Sequence, residues 1–200
     1  MNILIISGSP RVGSNSEKVA KYLAGVLEGQ SGVAADILQL HEGAPRPWTS
    51  SFWDANSNEA VEWKKLSTRL QSADGFVIVS PEYAGMAPPG LMNLILKCGI
   101  PETGHKPALL VGVSSGSGGV YPLAQLRQFG FKNNFLCMLP FSVIVRNAND
   151  ALGGHEKSER SDAELSARLG HGCALLCAYA QALAQVRASE INFSKYPYGQ

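Results

Sequence analysis

Serine, glycine and arginine crowd into one stretch near the start of the chain, Ser7-Gly8-Ser9-Pro10-Arg11-Val12-Gly13-Ser14-Asn15-Ser16. It lies directly after an apolar run and directly before an amphipathic one, the position of a strand-to-helix turn. A helix N-terminus presents backbone N–H groups without intrahelical acceptors and a partial positive charge, so anions are stabilised there. Gly8 and Gly13 would let backbone close on such an anion. Ser9, Ser14, Asn15, Ser16 and Arg11 add side-chain donors, and the stretch predicts a phosphate cradle. Gly8 and Gly13 have the spacing of the Walker glycines, but Ser14 stands where the lysine is required to meet β- and γ-phosphates. The Gly-x-Gly-x-x-Gly dinucleotide fingerprint is absent, because Pro10 occupies its second glycine. A terminal monophosphate is the better fit.

Two further loops carry candidate chemistry. Ser80-Pro81-Glu82-Tyr83-Ala84-Gly85-Met86-Ala87-Pro88-Pro89-Gly90-Leu91-Met92-Asn93 follows another apolar run. Its prolines stiffen the backbone, Tyr83 offers a flat amphipathic surface, and Pro88-Pro89 reads as a helix start. The third loop is Ser114-Ser115-Gly116-Ser117-Gly118-Gly119. It overlaps a Gly-x-Ser-x-Gly pattern, Gly112 to Gly116, with Asp150 and His155 following in the order of a hydrolase triad. Ser117, Gly118 and Gly119 intervene before the helix, however, and a hydrolase leaves the first two loops without a purpose. Serine hydrolysis through Ser114 is therefore a minor alternative.

The elements that must position these loops are legible from hydrophobic pattern. Continuous apolar runs at Asn2 to Ser7, Gly75 to Ser80, Ala108 to Ser114 and Cys137 to Val145, with a more amphipathic fifth at Val33 to Leu40, suit strands covered on both faces. Helical patterns fall at Ser16 to Glu28 with Asn15 or Ser16 as N-cap, and at Asn58 to Ser72, Gly90 to Cys98, Val120 to Phe131 and Asp162 to Ala188. Strand–helix alternation of this kind predicts an α/β fold: a doubly wound five-stranded parallel sheet with helices on both faces, of flavodoxin-like size. Ligands bind such sheets beyond the carboxyl ends of the strands, where all three loops lie.

Lys and Arg number 17 against 16 Asp and Glu, a net charge of +1, and 45% of the chain is apolar while 16% is charged. Near-neutrality without like-charge runs removes the electrostatic basis for binding nucleic acid or an anionic membrane. No apolar stretch reaches the roughly 18 residues of a membrane helix. Cys98, Cys137, Cys173 and Cys177 match no zinc spacing, and His41, His105, His155 and His171 share none either, so no metal site is expected. Reduced thiols and the lack of a secretory pattern point to the cytoplasm.

The first loop, together with Pro81-Glu82-Tyr83 and the continuation Pro89, Gly90 and Asn93, resembles the NAD(P)H-dependent FMN reductase family of quinone, azo-dye and chromate reductases. The resemblance covers about Asn2 to Phe131. It implies sheet order 2-1-3-4-5, FMN phosphate at Ser9, Arg11, Ser14, Asn15 and Ser16, and the isoalloxazine ring along Pro81, Glu82, Tyr83, Ala84 and Gly85. Ser115, Gly116, Ser117, Gly118 and Gly119 would then pack backbone against the ring, with Gln125 and Arg127 in the stretch that follows. It implies NAD(P)H as co-substrate, a small-molecule electron acceptor, ping-pong turnover and no catalytic side chain, since the flavin carries the chemistry. Backbone N–H groups around Tyr83, Ala84, Gly116 and Gly118 would stabilise the reduced ring. Ala84 departs from the family, which has asparagine there, and any side-chain contact to the flavin from that position is lost.

Glu82 is expected to face solvent or cap backbone, and Arg46 or Arg127 is a candidate for a coenzyme 2′-phosphate. Residues 41–63 form an insertion with all three tryptophans, Trp48, Trp53 and Trp63. Together with the low charged fraction and the family resemblance, it suggests a homodimer or homotetramer. The whole chain reads as a single domain ending in a helix plus tail over 160–200. A non-catalytic flavodoxin-like electron carrier and a flavin-free binding module are the competing readings; the near-neutral charge argues against the carrier, whose kind is strongly acidic.

Overall fold

In the computed structural model, residues 1–153 and 159–198 are described. Five strands form one parallel sheet: β1 (Asn2–Ser7), β2 (Ala34–Gln39), β3 (Gly75–Pro81), β4 (Pro107–Val113) and β5 (Cys137–Val145), in the order β2-β1-β3-β4-β5. β3 and β4 are buried along their whole length, whereas the edge strand β2 alternates, which is why it alone reads as amphipathic. On one face Ile3, Ile5, Val77, Val79, Leu109 and Val111 meet Val19 and Leu23 of α1 (Asn15–Glu28) and Leu169 and Leu176 of α7 (Glu159–Arg187). On the other, Leu4, Ile6, Phe76, Ile78 and Leu110 meet Leu70 of α3 (Asn58–Gln71), Leu91 and Leu94 of α4 (Pro89–Lys97), and Leu126 of α6 (Tyr121–Phe129). Each such fully buried leucine contributes about 2 kcal/mol through burial, and truncating one to alanine costs about 2–5 kcal/mol.

The chain order places the crevice. After β1 the chain turns into α1 on one face; after β3 it turns into α4 on the other. The loops therefore part at the carboxyl ends of these two neighbouring strands, the topological switch point at which open α/β sheets bind ligands.

Among the described residues four short elements escaped the periodicity: α2 (Leu40–Gly43), 3-10 turns at Ser50–Trp53 and Phe193–Lys195, and α5 (Ile100–Thr103). None is long enough to repeat a helical stripe. The N-cap of α1 is Ser14 rather than Asn15 or Ser16: its hydroxyl accepts the Glu17 N–H at 3.2 Å, and the Glu17 carboxylate reaches back to accept the Gly13 N–H at 2.9 Å. Reciprocal capping by serine and by the glutamate three residues on satisfies two orphan donors, and it moves the helix start forward.

The aromatic insertion is folded onto α3 and α4. Phe52 lies edge-on to Trp53 and Trp63, with centroids 6.0 and 5.9 Å away. Beneath it the buried Lys97 ammonium pairs with the buried Glu59 carboxylate, which also accepts from the Thr49 and Ser51 hydroxyls at 2.5 and 2.7 Å. Asn93 closes the other side: its amide donates to the Pro45 and Arg46 carbonyls at 3.1 and 2.8 Å, and its oxygen accepts the Trp48 N–H at 2.7 Å. At the far end of the sheet the tail docks through Phe193, whose ring lies 4.2 Å from that of His105.

Candidate functional site

The first loop leaves the sheet at Ser7. Gly8 is required for packing, not for an anion as its position suggested: a Cβ there would come within 2.9 Å of both the Leu91 side chain and the Val79 carbonyl. Gly13 has φ +64°, the left-handed region that glycine enters without strain, and nothing lies where its Cβ would be. Ser9, Ser14 and Ser16 are buried and Arg11 is exposed, with its guanidinium 5.8 Å from the centre of the Tyr83 ring. Gly13, Arg11 and Glu17 direct their N–H groups to Glu17, Ser9 and Ser14 side chains, whereas the N–H groups of Ser14, Asn15 and Ser16 meet no acceptor among the described residues. These three unpaired donors stand at the positive end of α1. The Glu17 carboxyl is held below the usual carboxylate range by Lys21 first and by the Gly13 N–H second, so it stays charged while bracing the loop.

The second loop continues β3. Glu82 extends the ladder by donating its N–H to the Val113 carbonyl at 3.1 Å. Tyr83 and Met86 then exchange backbone hydrogen bonds of 3.0 and 2.9 Å around Ala84 and Gly85, whose φ values are +49° and +75°. Two left-handed central residues define the tight hairpin turn for which Asn-Gly is the favoured sequence. An asparagine before Gly85 thus has a conformational reason to be there, separate from any ligand. The Tyr83 N–H is committed to this turn; the Ala84 N–H has no acceptor among the described residues. Behind the loop, Gln125 accepts the Ala87 N–H at 2.8 Å.

The third loop folds back over its own strand. A Cβ on Gly112 would meet the Gly119 carbonyl oxygen at 2.2 Å, and one on Gly119, at φ +102°, would meet Ile144 at 2.6 Å. Glu82 accepts the Gly119 N–H and crowds Gly118, so the expectation that this carboxylate caps backbone is met. Gly116 is different, because among the described residues nothing beyond its chain neighbours lies within 4 Å of the place its Cβ would take. The Gly116 N–H donates to the Ser114 hydroxyl at 3.2 Å, and the Gly118 N–H has no acceptor among the described residues.

A fourth segment, residues 146–151, was missed as a site element. Asn147 and Ala148 donate backbone N–H groups to the Gly116 and Ser114 carbonyls at 2.9 and 3.0 Å, and Arg146 donates to the Ser117 carbonyl at 2.7 Å. On its other side Asn15 donates to the Asn149 side-chain oxygen at 2.8 Å, and the Lys18 ammonium donates to the carbonyls of Ala148, Asn149 and Ala151 at 2.5, 3.2 and 2.8 Å. This segment therefore braces the first and third loops together. The polar run Asn147-Ala148-Asn149-Asp150 after the fifth apolar run was the available signal.

Ser9, Arg11, Ser14, Asn15 and Ser16 of the first loop, Pro81, Glu82 and Tyr83 of the second, and Ser114 and Ser115 of the third with Val113 before them surround one hollow of about 50 Å³. Ala84, Gly85, Gly116, Ser117, Gly118 and Gly119 lie outside its lining; Ala84, Gly85, Gly116 and Ser117 are exposed, and Gly119 is buried. The two arginines considered for a 2′-phosphate are engaged elsewhere: Arg46 forms a two-point ion pair with Glu62, and Arg127 donates to the Leu139 carbonyl at 2.9 Å. Of the hydrolase-like set, Ser114 accepts the Gly116 N–H and His155 lies outside the described residues.

A compact hollow ringed by hydroxyls, and by N–H groups that meet no acceptor among the described residues, fits a terminal phosphate. Sheet order and cradle together define a flavodoxin-like protein. Its membership is narrower than that. The profile of the NADPH-dependent FMN reductase family matches residues 1–150, and the chain belongs to that family.

Among curated relatives, an NADPH azoreductase of Bacillus sp. (strain OY1-2) is 31% identical over 120 residues, 60% of this chain and 62% of the relative, so the chain spans about three fifths of that protein's length. An FMN-dependent NADPH-azoreductase of Staphylococcus saprophyticus is 32% identical over 131 residues, 64% of this chain and 68% of the relative. Among solved structures, the flavoenzyme NAD(P)H:acceptor oxidoreductase FerB of Paracoccus denitrificans superposes with a TM-score of 0.67 at 21% identity, covering 92% of this chain and 97% of that one. An azoreductase of Bacillus anthracis superposes with a TM-score of 0.58 at 12% identity, covering 88% of this chain and 98% of that one. At these identities the structural likeness is one of fold.

Proposed function

We propose that the protein binds FMN and reduces a small-molecule acceptor, an azo compound or a quinone, at the expense of NAD(P)H. The observation that carries this reading is the set of unpaired Ser14, Asn15 and Ser16 N–H groups at the start of α1, beside the Pro81-Glu82-Tyr83 bend, in a chain of this family. FMN, when bound, supplies the hydride and electron chemistry. The chain's own part is to bind and to orient. Ser14, Asn15 and Ser16 direct N–H groups into the hollow, and Arg11 adds a mobile cation at its mouth. Tyr83 walls one side, and the Ala84 and Gly118 N–H groups remain free to stabilise negative charge beside the hollow. Nicotinamide and acceptor would then take the same exposed flavin face in turn, with ping-pong kinetics.

We further propose a homodimer or homotetramer working in the cytoplasm. Leu96 of α4 and Phe129 and Phe131 at the end of α6 are exposed beside a groove of about 440 Å³, and a second copy of the chain is the proposed cover. The four cysteines are unpaired, as a reducing compartment keeps them. Among the described residues no helix is long and apolar enough to cross a membrane.

The test is FMN titration of wild type and Arg11→Ala, with NADPH oxidation followed in the presence of a quinone or an azo dye. Loss of an exposed guanidinium should weaken FMN binding about tenfold while leaving the unfolding midpoint in place. Unchanged affinity refutes the phosphate assignment. FMN binding without nicotinamide oxidation would instead make the protein an electron carrier, and sedimentation that finds only monomer would refute the assembly.

A further inference from the structure

The bend after β3 touches both neighbouring loops through adjacent side chains. Tyr83 reaches Ser9 of the first loop, and Glu82 reaches Gly119 of the third. We propose that Glu82 is a positioning residue: its carboxylate ties the glycine-rich loop after β4 to the bend after β3 and thereby sets the gap between them. This rests on the reading of that gap as the flavin slot.

Three observations carry the proposal. The Glu82 backbone is fixed, because its N–H continues the β3–β4 ladder to the Val113 carbonyl at 3.1 Å. Its carboxylate accepts the Gly119 N–H, and its two oxygens lie 3.0 and 3.1 Å from the place a Cβ on Gly118 would take. The Gly118-Gly119 pair is thus shaped around this one carboxylate, with Gly112 and Ile144 closing from behind. The loop's other anchors, Ser114, Arg146, Asn147 and Ala148, all come from the β4–β5 side. Among the described residues, Glu82 is the side chain that crosses the slot to hold this loop. A carboxylate-to-N–H bond is about twice as strong as a neutral one, which suits a single tether.

Reach and charge are separable by substitution. Glu82→Gln keeps an acceptor at the same length without the charge; Glu82→Asp keeps the charge one methylene short; Glu82→Ala removes both. Amide hydrogen exchange at residues 115–119 of the FMN-free protein reads the tether itself, and fluorescence titration with FMN reads its consequence. We expect Gly119 exchange to quicken about tenfold or more in E82A and E82D and by a distinctly smaller factor in E82Q, which keeps the reach but not the charge, with FMN affinity following the same order. Wild-type exchange and affinity in E82A overturn the proposal, as does E82Q behaving like E82A. If wild type itself fails to bind FMN, the functional reading falls, while the exchange pattern still decides the tether.

Discussion

The Ser9 hydroxyl and the Tyr83 phenol oxygen lie 3.1 Å apart, across 74 residues of sequence. Ser9 is fully buried and also accepts the Arg11 N–H at 3.2 Å, so one hydroxyl shapes the first loop and docks it on the second. Tyr83→Phe keeps the ring and deletes the bond. The variant should lose about 0.5–1.5 kcal/mol of stability, read as a lower urea midpoint at unchanged slope. FMN affinity should fall several-fold, since the two loops are no longer held in register.

Ala84 sits at φ +49°, a conformation that costs an ordinary L-residue about 1–2 kcal/mol and that asparagine tolerates better. Ala84→Asn restores the favoured Asn-Gly hairpin turn without touching the core. It should raise the melting temperature of the FMN-free protein, by a gain of about 0.5–1 kcal/mol. A gain that appears only with FMN present would instead assign the asparagine to ligand contact.

Gly119 and Gly116 of the third loop should respond oppositely to alanine. Gly119→Ala drives a methyl to within 2.6 Å of Ile144 at φ +102°, and should destabilise by about 2 kcal/mol or more. Gly116→Ala meets nothing within 4 Å and should leave stability within about 0.5 kcal/mol of wild type. If that open space receives the flavin, Gly116→Ala weakens FMN binding all the same. Denaturation and FMN titration of the two variants, run side by side, separate packing from ligand contact.

What the sequence disclosed follows from the range of the interactions. β1, β3 and β4 are almost wholly apolar because helices cover both faces, and that demand is written residue by residue, whereas β5 at the other edge is only partly buried and its apolar run overstated its cover. The proposed phosphate cradle could be singled out in the sequence because its candidate donors lie within ten positions of one another. The brace between Lys18 and the Ala148 carbonyl spans 130 residues, and the tether between Glu82 and Gly119 spans 37. No local pattern announces either. Gly8 misled because a glycine needed for packing against Leu91 looks, in sequence, like one needed for a ligand. Ala84 was visible as a departure from the family, but its meaning came from a backbone angle.

The pair between Lys97 and Glu59 governs how the aromatic insertion stays in place under acid. Glu59 is lowered from an ordinary 4.5 to about 2, chiefly by the Lys97 ammonium and next by the Thr49 hydroxyl, against an opposing cost of burial. With its folded value below its unfolded one, Glu59 binds fewer protons folded than unfolded in that window. Its contribution is therefore complete above about pH 4.5 and is lost as pH falls towards about 2. Glu59→Gln leaves Lys97 buried beside a neutral amide, which destabilises the fold at neutral pH. The difference in urea midpoint between wild type and this variant should be large near about pH 6 and should narrow near about pH 3, where the unfolded chain takes up a proton at Glu59 that the folded carboxylate still refuses. Trp48, Trp53 and Trp63 all lie on the insertion that the pair secures, so tryptophan fluorescence should report the loosening before circular dichroism reports loss of the sheet. A gap that stays constant across this range would mean that Lys97 is held by Phe52, over whose ring it lies at 4.3 Å, rather than by the carboxylate.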